Sequence, residues 1–261
     1  MSTSHAADLR SRCTLLRSLH RPGEPLLLPN AWDVATAKAV VEAGFPVVAT
    51  TSWGVAEALG FEDDERAPAE EMLAAAARIA RGVEVPVTVD AEAGYGMEPG
   101  ELVAALRSAG AAGCNLEDTD HTDRSLRDAD RHAEWLRAVR QAASDDGYPL
   151  VINARVDVFL WPYVDDPGPG TQEKLVGEAL QRATAYFEAG ADCVYPICLW
   201  EQDALRGFMA EIAGPVNMTR MSEGPAVAEL AELGVARVSW ALYLYWDAMA
   251  RFREQLAAIQ S

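Results

Sequence analysis

Residues 87–96, Val-Thr-Val-Asp-Ala-Glu-Ala-Gly-Tyr-Gly, form an apolar alternation that ends in two acids and two glycines. Asp90 and Glu92 stand two apart, which on extended backbone sends both side chains to one side. Like charges placed so repel unless a cation or a shared proton lies between them, and the pattern asks for a metal. A second strand-like run, 113–118 (GCNLED), ends in Glu117 and Asp118, and a third cluster, Glu62, Asp63, Asp64 and Glu65, follows ALGF. Oxygen ligands gathered from several strand ends suit a hard divalent ion such as magnesium, with manganese as the alternative. The chain holds 40 Asp and Glu against 22 Lys and Arg, a net charge of −18, so most of its carboxylates are solvated surface. Asp64, Glu65 and Asp118 are assigned to that surface class. Asp90, Glu92 and Glu117 differ because each stands where a buried strand emerges.

These acids need elements to position them. Four segments repeat one phrase: VVEAGFPVV at 40–48, LRSAGAAGC at 106–114, YFEAGADCV at 186–194 and AELGVARVS at 231–239. Each reads as a helix end, a glycine stop and a buried parallel strand. Filling the gaps predicts strands near 26–28, 46–51, 86–90, 113–117, 149–154, 192–196, 215–218 and 235–239. Amphipathic helices are expected at 69–81, 99–108, 129–143, 172–189 and 224–233. Eight such alternations in 261 residues predict a single-domain α/β fold, a (β/α)₈ TIM-type barrel over 1–261, with a helical lead-in at 1–22 and a C-terminal helix at 240–261. The rival, a doubly wound open sheet, lacks its GxGxxG fingerprint after every strand. In a barrel, chemistry sits in the loops after strands, where Thr51–Gly54, Asp90–Gly96, Glu117–His121, Arg155, Asp157, Asn217 and Thr219 all fall.

Composition excludes several function classes. Strong acidity argues against nucleic acid and against anionic lipid. No run approaches the roughly 20 apolar residues of a membrane helix, and the N-terminus lacks a secretory core, so a cytoplasmic protein is expected. Cys13, Cys114, Cys193 and Cys198 lack metal spacing and read as free buried thiols. The Pro/Gly-dense stretch 162–170 reads as a long loop facing the barrel mouth.

The motifs LPNAWD (28–33), GVAEALGFED (54–63), VDAEAGYG (89–96), GAAGCNLED (110–118), INARVD (152–157) and PVNMT (215–219) occur in an order that resembles the phosphoenolpyruvate mutase and isocitrate lyase superfamily. The resemblance implies a magnesium-dependent barrel that makes or breaks C–C or P–C bonds beside a 2-oxoacid. It gives Asp90 as the direct metal ligand, with Asp63, Glu92 and Glu117 holding the metal's waters. Glu92 stands where the family carries Asp, and its extra methylene either shifts a water or makes it a direct ligand. Thr51, Ser52, Trp53 and Gly54 match the segment receiving the substrate's carboxylate and oxo group. Arg155 matches the arginine that clamps substrate, its alternative being a salt bridge to Asp157 or another acid. Asn217 and Thr219 match an element that binds a second carboxylate.

The resemblance implies a lyase or hydrolase that cleaves a C–C bond of a small 2-oxo or 2-hydroxy di- or tricarboxylate, oxaloacetate-type or isocitrate-lyase-like, through an enolate. The lyase branch's cysteine loop is replaced here by EDTDHTDRSLRD (117–128). That leaves His121 as the titratable residue able to act as acid or base, against a plain exposed loop histidine. Two alternatives stay open: P–C chemistry on a phosphonate, with Arg124 and Arg127 as extra charge near the mouth, and a barrel that binds a metabolite without turning it over. The family also implies a homo-oligomer, dimer or tetramer. The aromatic-rich run after Trp240 either reaches a second subunit or packs on its own barrel.

Overall fold

The computed structural model describes residues 3–165 and 170–260. Eight parallel strands close a barrel. They are β1, in two pieces (Leu26–Leu28 and Asn30–Ala31), β2 (Val48–Thr50), β3 (Val87–Asp90), β4 (Gly113–Glu117), β5 (Val151–Val156), β6 (Cys193–Pro196), β7 (Asn217–Thr219) and β8 (Arg237–Ser239). Pairing runs from β2 through β6 in sequence order, crosses to β7 by a single bridge, Val194 with Val216, and continues to β8. Pro29 divides β1 because it has no N–H to give; Leu26–Leu28 pairs with β8 and Asn30–Ala31 with β2, which closes the ring.

The helices are α1 (Thr3–Ser18), α2 (Val34–Glu42), α3 (Ser52–Leu59), α4 (Ala69–Gly82), α5 (Pro99–Ala109), α6 (Ala129–Asp145), α7 (Leu160–Asp165), α8 (Val176–Glu188), α9 (Gln202–Glu211), α10 (Val227–Glu232) and α11 (Tyr243–Gln260). Their buried faces follow the helical period: α4 buries Met72, Ala75, Ala76, Ile79 and Ala80, and α6 buries Leu136, Val139 and Ala143. Cys13 and Leu16 of α1 are fully buried. A Cβ at Gly113 would lie 2.8 Å from the Leu16 side chain and from the Val151 carbonyl, so glycine there lets α1 close on the start of β4. None of the helices is long and apolar enough to cross a membrane among the described residues.

Four expectations are corrected. Residues 162–165 belong to α7, since Pro162 stands in the first turn, where a proline forfeits no intrahelical hydrogen bond; 166–169 lie outside the described residues. The helix expected from 224 starts at Val227, and the helix expected from 172 opens with a 3₁₀ turn, Gln172–Leu175. The stretch after β4 is a small hairpin, Thr119–Asp120 against Ser125–Leu126, because Asp120 and Asp123 each accept backbone N–H groups two residues on and fold the tip.

The first turns of α11 pack on the barrel mouth, Tyr245 edge-on to Trp32 (5.2 Å) and Trp246 edge-on to Trp53 (5.7 Å). Beyond them the helix projects, leaving Phe252, Leu256 and Ile259 exposed at 52%, 46% and 80%.

Candidate active site

Asp90 ends β3, with its backbone N–H donating to Thr50 Oγ1 (2.8 Å). Its carboxylate is held at both oxygens: Oδ2 accepts the Ser52 N–H at 3.0 Å and Oδ1 accepts Asn115 Nδ2–H at 3.3 Å. Ser52 opens α3, so the helix N-terminus adds its positive end to this carboxylate. Thr51–Gly54 is therefore a helix start and not an open loop, and one of its N–H groups already serves Asp90.

The same-side argument for Asp90 and Glu92 does not hold. The strand stops at Asp90, and Glu92 turns to φ +48°, as does Tyr95 at +57°. Glu92 is buried, and its Oε2 accepts the Glu65 N–H at 2.5 Å, while Glu65 in turn accepts the N–H of Tyr95. Glu65 thus stitches two mouth loops together, where sequence assigned it to plain surface. Gly94 is required where it stands, since a Cβ would meet Trp135 at 2.8 Å.

A cavity of ≈ 60 Å³ opens at this end of the barrel. Asp63 and Asp90 form its acid wall, Arg155 supplies its cation, and Thr51, Ser52 and Trp53 face it from α3. Asn30, Asn115, Tyr195 and Ser239 complete the polar lining, and Ile197 and Leu242 an apolar side. Larger hollows elsewhere, such as the ≈ 330 Å³ one beside Leu19 and Phe45, gather no comparable chemistry. Asp63 Oδ1 is buried with no hydrogen-bond partner, and burial, then the Asp90 charge, pushes its carboxyl up to about 6. Burial, then Asp63 and Glu117, pushes Glu92 up to about 9.

Other expected residues stand behind this lining. Asn217 Nδ2 donates to Ser239 Oγ (3.3 Å) and Thr219 Oγ1 meets Tyr195 OH (2.6 Å), so both back residues that touch the cavity. Gly54 packs against Thr51 and Trp32. The lining residues that sequence reasoning missed as site residues, Asn30, Asn115, Tyr195 and Ser239, carried one signal: polar side chains spaced along otherwise apolar strands.

Glu117, at the end of β4, is buried between Arg155 and His121 and pairs with both. Arg155 also takes Asp157 bidentately, Nε to Oδ1 at 2.7 Å and Nη2 to Oδ2 at 2.9 Å. The salt bridge weighed against Arg155 is thus formed, and the same guanidinium lines the cavity. Burial pulls the His121 pKa down, but the hydrogen bond and charge of Glu117, aided by Asp64, outweigh it and raise it to about 9. Its Nδ1 lies 3.7 Å from Asp64 Oδ1, an ionic contact too long for a hydrogen bond. His121 is neither an exposed loop histidine nor a lining group; it bridges Glu117 to Asp64.

Asp118 is not surface. It is fully buried, accepting the Asp157 N–H (2.8 Å), Tyr186 OH (2.6 Å) and Arg182 Nη1 (3.1 Å). Through Asp157 it braces Arg155 from behind. Cys198, just past β6, is buried, and burial pushes its thiol up to about 12, as expected of an inert side chain.

A family model described as phosphoenolpyruvate phosphomutase matches residues 16–260. The chain belongs to that family. An uncharacterised Mycobacterium tuberculosis protein is 36% identical over 221 residues, covering 85% of this chain and 79% of that one. A probable 2-methylisocitrate lyase of Corynebacterium glutamicum is 29% identical over 263 residues, covering 98% and 83%. A solved Burkholderia cenocepacia structure, described as a candidate phosphonomutase, superposes with a TM-score of 0.87 at 42% identity, covering 95% and 99%.

The phosphoenolpyruvate mutase and isocitrate lyase superfamily thus accounts for the barrel and for the order of its motifs. Among the described residues, no three His, Cys, Asp or Glu side chains gather at metal-binding distance. Asp63 and Asp90 share the cavity wall, Glu92 faces the paired loops, and Glu117 lies behind Arg155.

Proposed function

We propose that the chain is a divalent-metal-dependent lyase or hydrolase that cleaves a C–C bond beside the oxo or hydroxy carbon of a small carboxylate. The observation that carries this reading is the cavity itself, in which an acid wall with a buried, unpartnered oxygen on Asp63 stands with the lining cation Arg155. Carboxyls pushed up to about 6 at Asp63 and about 9 at Glu92 mark more buried negative charge than the bare protein accommodates. A proton or a cation relieves it. The donor set is all oxygen, which fits magnesium, or manganese in its place. Asp90 would hold the ion directly, and Asp63, Glu92 and Glu117 its waters; magnesium characteristically keeps several waters, consistent with so few converging side chains. When bound, the ion supplies Lewis-acid polarisation of substrate oxygens.

The protein's own groups do the rest. Arg155, fixed by Asp157 and Glu117, presents a pre-oriented guanidinium to the substrate carboxylate. Of the first-turn N–H groups of α3, which lack intrahelical acceptors, that of Ser52 serves Asp90, and those of Trp53 and Gly54 would meet developing negative charge. His121 and Glu117 hold a proton between Nε2 and Oε1, behind Arg155 and outside the cavity lining.

Cavity size favours a compact substrate. At ≈ 60 Å³ it holds about five waters, the bulk of a short oxoacid, and its remaining wall is apolar Ile197 and Leu242. An oxaloacetate-type substrate therefore ranks above a tricarboxylate. P–C chemistry is the second reading, favoured by the 42% identity to the candidate phosphonomutase. It ranks lower because Arg124 stacks on Trp161 (3.9 Å) and Arg127 donates to the Ala93 carbonyl (3.1 Å), both away from the lining. Incubating the protein with magnesium and a panel of oxaloacetate, 2-methylisocitrate, alkylmalates and phosphonopyruvate, while measuring pyruvate, oxalate, glyoxylate and phosphate, tests the proposal. Phosphate release selects the second reading. Thermal stabilisation by magnesium and oxalate with no turnover would make the barrel a binder only.

A further inference from the structure

The barrel interior beneath the site is polar, where such barrels ordinarily pack bulky branched side chains. Two residues back along five of the eight strands, on the same face, Thr88 lies beneath Asp90, Asn115 beneath Glu117, Asn153 beneath Arg155, Asn217 beneath Thr219 and Arg237 beneath Ser239. Arg237 is 1% exposed and forms no ion pair among the described residues; its Nε and Nη1 have no hydrogen-bond partner. An uncompensated buried guanidinium is costly. Its one hydrogen bond crosses the barrel from β8 to β4, Nη2 to Asn115 Oδ1 at 3.2 Å.

That bond decides the direction of a chain. Asn153 Nδ2 also donates to Asn115 Oδ1, at 2.8 Å, and Asn115 Nδ2 donates onward to Asp90 Oδ1, at 3.3 Å. An amide flips readily between its two ends, and two facing amides can invert together. Asn153 Oδ1 has no partner and would accept the inverted Asn115 NH₂. The inverted pair would turn the Asn115 carbonyl oxygen onto the Asp90 carboxylate, where two acceptors repel. Arginine donates only, so while Arg237 faces Asn115, the atom it meets must be oxygen and the amide N–H must point to Asp90. We infer that Arg237 is a positioning residue for Asp90, fixing the donor direction of the Asn153–Asn115–Asp90 chain from the far side of the barrel.

The inference rests on the metal reading above, and binding of Mn²⁺ measured by calorimetry on the full chain separates the two. Arg237→Met keeps the side-chain bulk and removes the donor. It should weaken Mn²⁺ binding about tenfold, the weight of one hydrogen bond involving a charged group, with a melting temperature equal to or above that of the wild type. Arg237→Lys retains a donor and should restore affinity to within about twofold, the scatter of uncoupled sites. In an Asn115→Ala background, Arg237→Met should have no further effect. An unchanged Mn²⁺ affinity in Arg237→Met, or an equal loss with and without Asn115, overturns the positioning role. Failure of the wild type itself to take up Mn²⁺ overturns the metal reading, and this inference with it.

Discussion

Stripped of divalent ions, the protein should lose stability as pH rises from 6 to 8. Glu92 titrates from about 9 in the fold against an ordinary 4.5, Glu117 from about 7 against 4.5, and Asp63 from about 6 against 3.8. Each binds its proton more tightly folded than unfolded, so its contribution is whole below pH 4 and is lost as pH climbs through the folded value. His121, at about 9 against 6.5, has the same sign over the alkaline part of the range. Between pH 6 and 8 the fold keeps at least the Glu92 proton, which the unfolded chain has shed. One extra bound proton costs about 1.4 kcal/mol per pH unit, hence about 3 kcal/mol over the interval. For a chain of this length that lowers the melting temperature by about 5–10 °C. A divalent ion that takes the proton's place removes the penalty, so magnesium should stabilise more at pH 8 than at pH 6, and Asp90→Asn should blunt that response. Scanning calorimetry in EDTA and in millimolar magnesium measures both. A melting temperature flat or rising across pH 6–8 in EDTA, or a magnesium shift equal at the two pH values, would refute the reasoning.

Glu117→Gln removes the carboxylate charge that holds the His121 proton, so the imidazole resonance of His121 should titrate well below 9 by NMR; a midpoint still near 9 would contradict the pairing. Asp118→Ala strands Arg182, Tyr186 and the Asp157 N–H in the interior and should cost about 3–5 kcal/mol by urea denaturation, with less than about 1 kcal/mol counting against a buried hub. Arg155→Lys loses the bidentate geometry, and kcat/KM on any substrate found should fall by about a hundredfold or more; a fall of only a few-fold would remove Arg155 from the chemistry. Ending the chain at Ala250 removes the exposed Phe252, Leu256 and Ile259 while sparing the Trp246 contact with Trp53, and light scattering should show a wild-type oligomer reduced to monomer. A wild type already monomeric would leave that apolar stripe without this role.

The strands were legible because each carries an apolar run, four of them after a glycine stop: expected 113–117, which follows such a stop, and 86–90, which does not, meet observed Gly113–Glu117 and Val87–Asp90. Asp90 was legible because a charge at the end of a buried strand has nowhere to go but the barrel mouth, whereas Asp63, in the loop between α3 and α4, was placed only by the family resemblance. Asp118 was not, because its partners Arg182 and Tyr186 lie 64 and 68 residues away on α8 and nothing local announces them. Glu92 misled because period-two reasoning presumes extended backbone, and the strand ends two residues earlier. The protonation of His121 was illegible too, since it depends on Glu117 one hairpin bend away and on Asp64 in another loop.

Backbone conformation separates the two ends of the barrel on independent grounds. Seven non-glycine residues adopt positive φ among the described residues: Asp64, Glu65, Glu92, Tyr95, Arg124, Cys198 and Ala241. Six lie in segments between the end of a barrel strand and the helix that leads to the next strand, and Ala241 lies between β8 and α11. The opposite turns use glycine for the same conformation, as at Gly110, where α5 ends before β4. A side chain at positive φ costs roughly 1–2 kcal/mol that glycine does not, so the opposite turns take the low-strain solution while the mouth loops, which also use Gly94 and Gly96, carry side chains at such positions as well. At Glu92 and Glu65 the reason is visible: their carboxylates bind the N–H groups of Glu65 and Tyr95 and lock two mouth loops together. Strain of this kind persists where side chains are used, and it accumulates at the same mouth as the orphaned Asp63 oxygen, the doubly paired Arg155 and the amide chain that ends on Asp90.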